Sequence, residues 1–293
     1  MARVAVITDS VASLPEGLIA EYGLIVVPYY VHVQGQALRD GVDIGTQAFA
    51  EYLLSLPEDA ELPKTANPGP GEYEAAYLQA AEHTREIISL HMTSRGSGAY
   101  QTALVGRGMA LKHRPDLDIR VVDTRNVSMC HGWMSLQAAR AAAKGASLEE
   151  IMALVQRMIP VARMLQTADT LRYLYMGGRI GRAQHLVGSL LNIKPIISME
   201  EGEIVIAGLA RSRQRAYRRM AELVAKAVPP GEGIRLALTH VAALDEAETL
   251  RTLVAEEVHV VETLLCELSP ALAVHSGPGT VGLCYVPEGV SRV

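Results

Sequence analysis

The chain has 293 residues, a formal net charge of −5, one tryptophan, one phenylalanine and three cysteines. That length suits two domains or one large one, and the mildly acidic balance argues against broad nucleic-acid binding. Cys130, Cys266 and Cys284 are too widely spaced for a zinc pattern or a disulfide framework; no apolar stretch of about 18 residues offers a membrane span. The start of the chain lacks the apolar run of a signal peptide. Together these read as a soluble, cytoplasmic protein.

The first two-thirds alternates strand and helix signals. Strands are expected over 4–8, 24–31, 87–92 and 119–123, and helices over 15–22, 47–55, 72–83, 99–113 and 133–144. Residues 57–71 are polar and proline-rich and read as a loop carrying Lys64-Thr65-Ala66-Asn67-Pro68. Ser147-Leu148-Glu149-Glu150 has the capping-box pattern that opens a helix. Such alternation predicts an α/β, doubly wound, mostly parallel sheet covered on both faces. The last third differs. Helices are expected over 170–176, 183–191, 213–228 and 245–257. Strands over 193–199 and 203–209 flank Glu200-Glu201-Gly202 as a β-hairpin, and further strands are expected over 234–239, 258–264 and 281–286. This second α/β region should hold a mixed sheet. The domain boundary falls near residue 160, giving domains 1–160 and 161–293.

Few aromatics and many Leu, Ala, Val, Ile and Met residues mean that any internal cavity would be aliphatic. The apolar run 87–92 ends in Thr93-Ser94-Arg95-Gly96-Ser97-Gly98, and a helical pattern follows. A strand–turn–helix corner aims free N–H groups and the positive helix end at one spot. Ser97 sits there, either as an anion ligand or, like Ser94, only as a helix cap. Lacking the lysine of a phosphate loop and the third glycine of a dinucleotide fingerprint, the turn fits neither nucleotide motif.

Three further groups stand out. Asp9 and Asp123 follow strands and are either a metal or carboxylate pair, or ordinary loop ties. Arg179 lies on the glycine-bounded turn 177–182, placed either to pair with an anion or to face solvent at a helix end. His275 follows the apolar run 271–274, read as a strand, and precedes Gly277-Pro278-Gly279; it is a candidate hydrogen-bonding or acid–base group. His131 and His185 read as structural. Arg211, Arg213, Arg215, Arg218 and Arg219 form a basic cluster, either a solvated helix face or a docking patch for an acidic partner.

Taken in order, several of these segments resemble the DegV family of bacterial fatty-acid-binding proteins. Ile7-Thr8-Asp9-Ser10 resembles the family's opening, and Arg39-Asp40-Gly41-Val42-Asp43 its early Asp-Gly segment. Ser94-Arg95-Gly96-Ser97-Gly98-Ala99-Tyr100-Gln101 resembles its Ser-Gly-Thr-Tyr-Gln turn, with Ala99 in place of the threonine. Lys64-Thr65-Ala66-Asn67-Pro68 resembles its Thr-Ser-Gln-Pro loop, with Ala66 and Asn67 departing from it. Leu174-Tyr175-Met176-Gly177-Gly178-Arg179-Ile180, Lys194-Pro195 and His275-Ser276-Gly277-Pro278-Gly279 resemble its remaining blocks.

The resemblance implies a two-domain DegV-like fold that buries one long-chain fatty acid between the domains, segment exchange between them being an option. It further implies a carboxylate held by Thr65 and Ser97, with Arg179 and His275 beside the head group. The protein would be a non-catalytic carrier without metal or cofactor. It would present its ligand to a fatty acid kinase catalytic subunit, related to dihydroxyacetone kinases, for acyl phosphate formation. Arg211, Arg213 and Arg215 would then dock that partner. Two alternatives remain: a serine acyl hydrolase using Ser97 and His275, and a nucleotide or sugar kinase holding Mg²⁺ at Asp9 and Asp123.

Overall fold

The computed structural model describes residues 3–57, 60–181 and 193–292. Strand β1 (Val4–Asp9) is buried along nearly its whole length, as a parallel strand covered on both faces must be. A 3₁₀ turn at Ser10–Ala12 and helix α1 (Glu16–Tyr22) lead to β2 (Ile25–Val27), which runs parallel to β1. The expectation of one strand over 24–31 is corrected here. Pro28 has no N–H for a ladder, and the chain leaves the sheet before β3 (Tyr30–Val33). Strand β3 instead pairs antiparallel with β4 (Gln36–Arg39) and, after α2 (Thr46–Ser55), with β5 (Lys64–Ala66). That three-stranded sheet lies partly in the stretch expected to be a loop. A three-residue strand is too short to show a period.

Helix α3 (Pro70–Ala80), β6 (Glu86–His91), α4 (Ala99–His113) and β7 (Asp118–Asp123) complete the first sheet. Its order is β2-β1-β6-β7 and all its pairs are parallel. The loops after β1, β6 and β7 therefore gather at one edge, where ligands of such sheets bind. Helix α5 (Ser128–Ala143) follows and is buried except at Arg140 and Ala143. Its burial comes from being sandwiched between two sheets. Glycine is required at Gly132, where an added Cβ would meet the Ala12 carbonyl at 2.6 Å. Helix α6 (Leu148–Met158) opens with the expected cap: the Ser147 hydroxyl accepts from the Glu150 N–H, and the Glu150 carboxylate from the Ser147 N–H.

The second sheet begins with β8 (Arg163–Thr167). It continues through α7 (Arg172–Met176), β9 (Lys194–Glu200), β10 (Glu203–Ala210), α8 (Arg213–Ala227), β11 (Ile234–His240), α9 (Leu244–Glu257), β12 (Val260–Glu267), α10 (Pro270–Ser276), β13 (Val281–Pro287) and α11 (Glu288–Ser291). The strand order is β10-β9-β8-β13-β11-β12, and only β11 and β12 pair in parallel. The hairpin turn has positive φ at both Glu201 (48°) and Gly202 (82°), the conformation of a tight two-residue connection.

One apolar core joins Val6 and Leu90 of the first sheet to Met164 and Val286 of the second through Trp133 and Leu136 of α5. Helices α3 and α4 cover the outer face of the first sheet, and α8 and α9 that of the second. The layers thus alternate helix, sheet, helix, sheet, helix. Helix α10, late in the chain, packs back on α2, β3 and β5. Among the described residues, no helix is long and apolar enough to cross a membrane. The helix expected over 183–191, together with Arg182 and His185, lies outside the described residues.

Candidate functional site

The corner between β6 and α4 carries Ser97. Its hydroxyl accepts from the Ala99 N–H at 3.3 Å and shares a hydrogen bond with the Tyr29 hydroxyl at 2.7 Å. Ser97 thus engages the first N–H of α4 from one residue outside the Gly98 cap and is also a wall of the cavity described below. Thr65, on β5 opposite Val31, faces the same space. Its Oγ1 lies 2.9 Å from Nε2 of His275. Asn67 holds the two loops together: its amide donates to the Thr102 hydroxyl, and its carbonyl group would be 3.1 Å from a Cβ at Gly98.

His275 does not follow a strand, as its sequence context suggested. It stands in the last turn of α10, and the apolar run before it is the buried part of a helix with Pro270 at its first position. Behind the ring, a Cβ at Gly177 would collide with the imidazole, so glycine is required where α7 ends. Burial, reinforced by the Arg179 guanidinium, pushes the imidazole down to about 4, so it is neutral near pH 7. Burial also raises the Tyr29 phenol well above its usual value, leaving it a hydrogen-bond donor. Arg179 is exposed, and its Nη1 donates to the Gly177 carbonyl at 2.7 Å.

Thr65, Ser97, Arg179 and His275 all line one cavity of about 520 Å³ between the loop edge of the first sheet and strands β8, β9 and β10. That size suits a small-molecule site. Much of the remaining wall is aliphatic, including Val11, Val127, Met164, Leu174, Ile197 and Met199. The tip of the β9–β10 hairpin closes against the first sheet. Thr93 donates to the Gly202 carbonyl at 3.0 Å, Arg95 pairs with Glu203 at 2.9 Å, and Arg125 with Glu201 at 3.2 Å.

Other candidates resolve differently. His275 is bonded to Thr65 and Ser97 to Tyr29, so the serine–histidine dyad of a hydrolase is not formed. Asp9 is buried between His91 and His131, while Asp123 accepts the backbone N–H groups of Ser94 and Arg125. Both are loop ties, and no cluster of three or more metal-ligating side chains occurs among the described residues. His131 is structural, its ring bonded to Thr8 and the Leu90 carbonyl.

Arg213 corrects the docking expectation. It is bound to Asp169, Glu246, the Tyr217 hydroxyl and the Gly279 carbonyl, and so ties the start of α8 to the Gly-Pro-Gly turn. Arg211 and Arg215 are exposed. The sequence reading did not single out Tyr29, the partner of Ser97. Its one local signal is its place after Pro28, at the break between two strands.

Comparison with known proteins agrees with this architecture. Residues 3–288 match a family described as uncharacterised proteins of the DegV family. A DegV domain-containing protein of Caldanaerobacter subterraneus is 30% identical over 285 residues, covering 97% of this chain and 99% of its own length. Among solved structures, one described as the fatty acid binding of a DegV family protein from Thermus thermophilus is 32% identical. It superposes with a TM-score of 0.89 over 97% of this chain and 99% of that one. DegV of Bacillus subtilis, described as a fatty acid binding protein, is 28% identical with a TM-score of 0.87, over 98% and 100% of the two chains. A match that spans both sheets and every loop of the cavity in sequence order makes this chain a member of the DegV family.

Proposed function

We propose that the protein is a carrier that holds one long-chain fatty acid in this cavity, the carboxylate at Thr65 and Ser97 with Arg179 and His275 beside it. The observation that carries the reading is the convergence of those four side chains on one aliphatic cavity. The fatty acid binding described for the Thermus thermophilus and Bacillus subtilis relatives names the same ligand class. Burying a methylene contributes about 0.8 kcal/mol, so about 14 of them give roughly 11 kcal/mol gross. Association and chain-ordering costs reduce that, and hydroxyl donors then suffice for the head group. A neutral His275 accepts or donates a hydrogen bond without trapping the carboxylate as a buried ion pair. In this reading domains 1–160 and 161–293 enclose the ligand. A dihydroxyacetone-kinase-like subunit makes the acyl phosphate, and the exposed Arg211 and Arg215 meet its acidic face.

Native mass spectrometry, followed by organic extraction, tests the reading. One fatty acid per chain is expected. A protein that is empty and takes up no added acid overturns the assignment. With the kinase subunit and ATP, acyl phosphate should form on the wild type. It should fall in an Arg211→Glu, Arg215→Glu double variant that keeps its lipid; unchanged phosphorylation removes the docking role.

A further inference from the structure

The aliphatic wall of the cavity is interrupted by Ser128, the first residue of α5. Ser128 is 2% exposed, and its hydroxyl has no hydrogen-bond partner among the described residues. Its φ is +56°, the left-handed region that L side chains avoid. No side chain caps α5: the residue before its first turn is Val127, which lines the cavity too. The first N–H groups of a helix lack intrahelical partners. A strained backbone, an unpaired buried hydroxyl and an uncapped helix start therefore coincide at one point of the wall.

Each of these is costly alone, and a saturated hydrocarbon chain relieves none of them. Two other polar side chains of the wall are already engaged. Gln166 donates to the Ser276 hydroxyl at 3.3 Å, and Thr93 to the Gly202 carbonyl. The unpaired Nδ1 of His275 faces Gly177. Ser128 follows Val127, which packs on the cluster containing Met164 and Met199.

We infer that the cavity selects long-chain acids bearing an oxygen on the acyl chain, hydroxy fatty acids foremost, with the Ser128 hydroxyl and the start of α5 as a second polar anchor. This rests on the fatty-acid reading of the cavity. A chain hydroxyl accepts from or donates to Ser128 Oγ, which leaves the head group at Thr65 and Ser97 unchanged.

The test is competition against a bound fluorescent fatty acid, using octadecanoic acid and a series of hydroxyoctadecanoic acids with the hydroxyl at successive chain positions. Wild-type protein should prefer at least one hydroxy isomer by about tenfold, the effect of one net hydrogen bond. Ser128→Gly, which suits a positive φ, and Ser128→Ala should both abolish that preference and keep the affinity for octadecanoic acid. Equal affinity for all the acids in the wild type overturns the inference, as does a preference that survives in Ser128→Gly. A water ordered on Ser128 above plain octadecanoic acid, with no preference in solution, overturns it as well. Failure to bind any acid overturns the fatty-acid reading itself, an outcome distinct from loss of selectivity.

Discussion

Two polar clusters containing histidine lie near the loop edge of the first sheet, and they are built on different plans. In one, the Asp9 carboxylate lies 3.2 Å from His91 and 3.6 Å from His131. Ser89 and Tyr77 extend the network from His91, and Thr8 and Ser135 extend it from His131. Its members are fully buried and turn towards one another. In the other, Thr65 with His275 and Ser97 with Tyr29 form two short pairs that line a cavity. The same residue types thus brace a sheet when their hydrogen bonds close on themselves, and offer a binding site when they line an aliphatic space.

The sharpest way to break that contrast is to remove the centre of the closed cluster. Asp9→Ala leaves the buried His91 ring nitrogen and the Met92 N–H without their acceptor, each loss costing about 1–3 kcal/mol in urea unfolding. A loss below about 1 kcal/mol would mean that the closed cluster is not structural. The open cluster should respond in the opposite sense. Ser97→Ala and Thr65→Ala should each weaken fatty-acid binding by about 1–3 kcal/mol, with much smaller changes in unfolding. Unchanged affinity in both variants would take the carboxylate away from these hydroxyls.

The smallest effect is one of pH. Burial, with Arg179, lowers the His275 imidazole from its usual 6.5 to about 4. A folded-state value below the unfolded one means that the unfolded chain binds the proton first as pH falls. The stability tied to neutral His275 is complete above pH 6.5 and is lost on descent through the window from 6.5 to about 4. Burial lowers His131 as well, so the two clusters act together on the acid side. His275→Gln should flatten part of that acid limb, measured by thermal unfolding at a series of pH values. A bound carboxylate, by favouring the imidazolium, should move the His275 titration upward in an NMR experiment. An unchanged acid limb in the variant would give the pH dependence to the closed cluster alone.

Much of this was legible in the residues. The helix over 99–113 lies where its pattern predicts, the 193–209 stretch forms its hairpin, and Ser147 caps its helix. These features depend on neighbours a few positions apart, so local spacing records them. Ser97, Arg179 and His275 were each visible as an unusual residue beside glycine or after an apolar run, whereas Thr65 entered as a ligand only through the family resemblance. The small sheet of β3, β4 and β5 was not legible, because strands of three or four residues carry no period. Helix α10 was misread because four apolar residues suit either a buried strand or a helix.

Local pattern determined the α/β alternation, the glycine-bounded turns and the kinds of side chain available for a site. The tertiary structure alone decided which of them meet. Thr65 and His275 are 210 positions apart and Tyr29 and Ser97 are 68 apart. Arg213, expected on a solvated helix face or a docking patch, finds Asp169 and Gly279 at a fold contact that spacing does not encode. Hydrogen-bond partnership depends on distances of about 3 Å, and such distances between remote segments exist only once the sheets have packed.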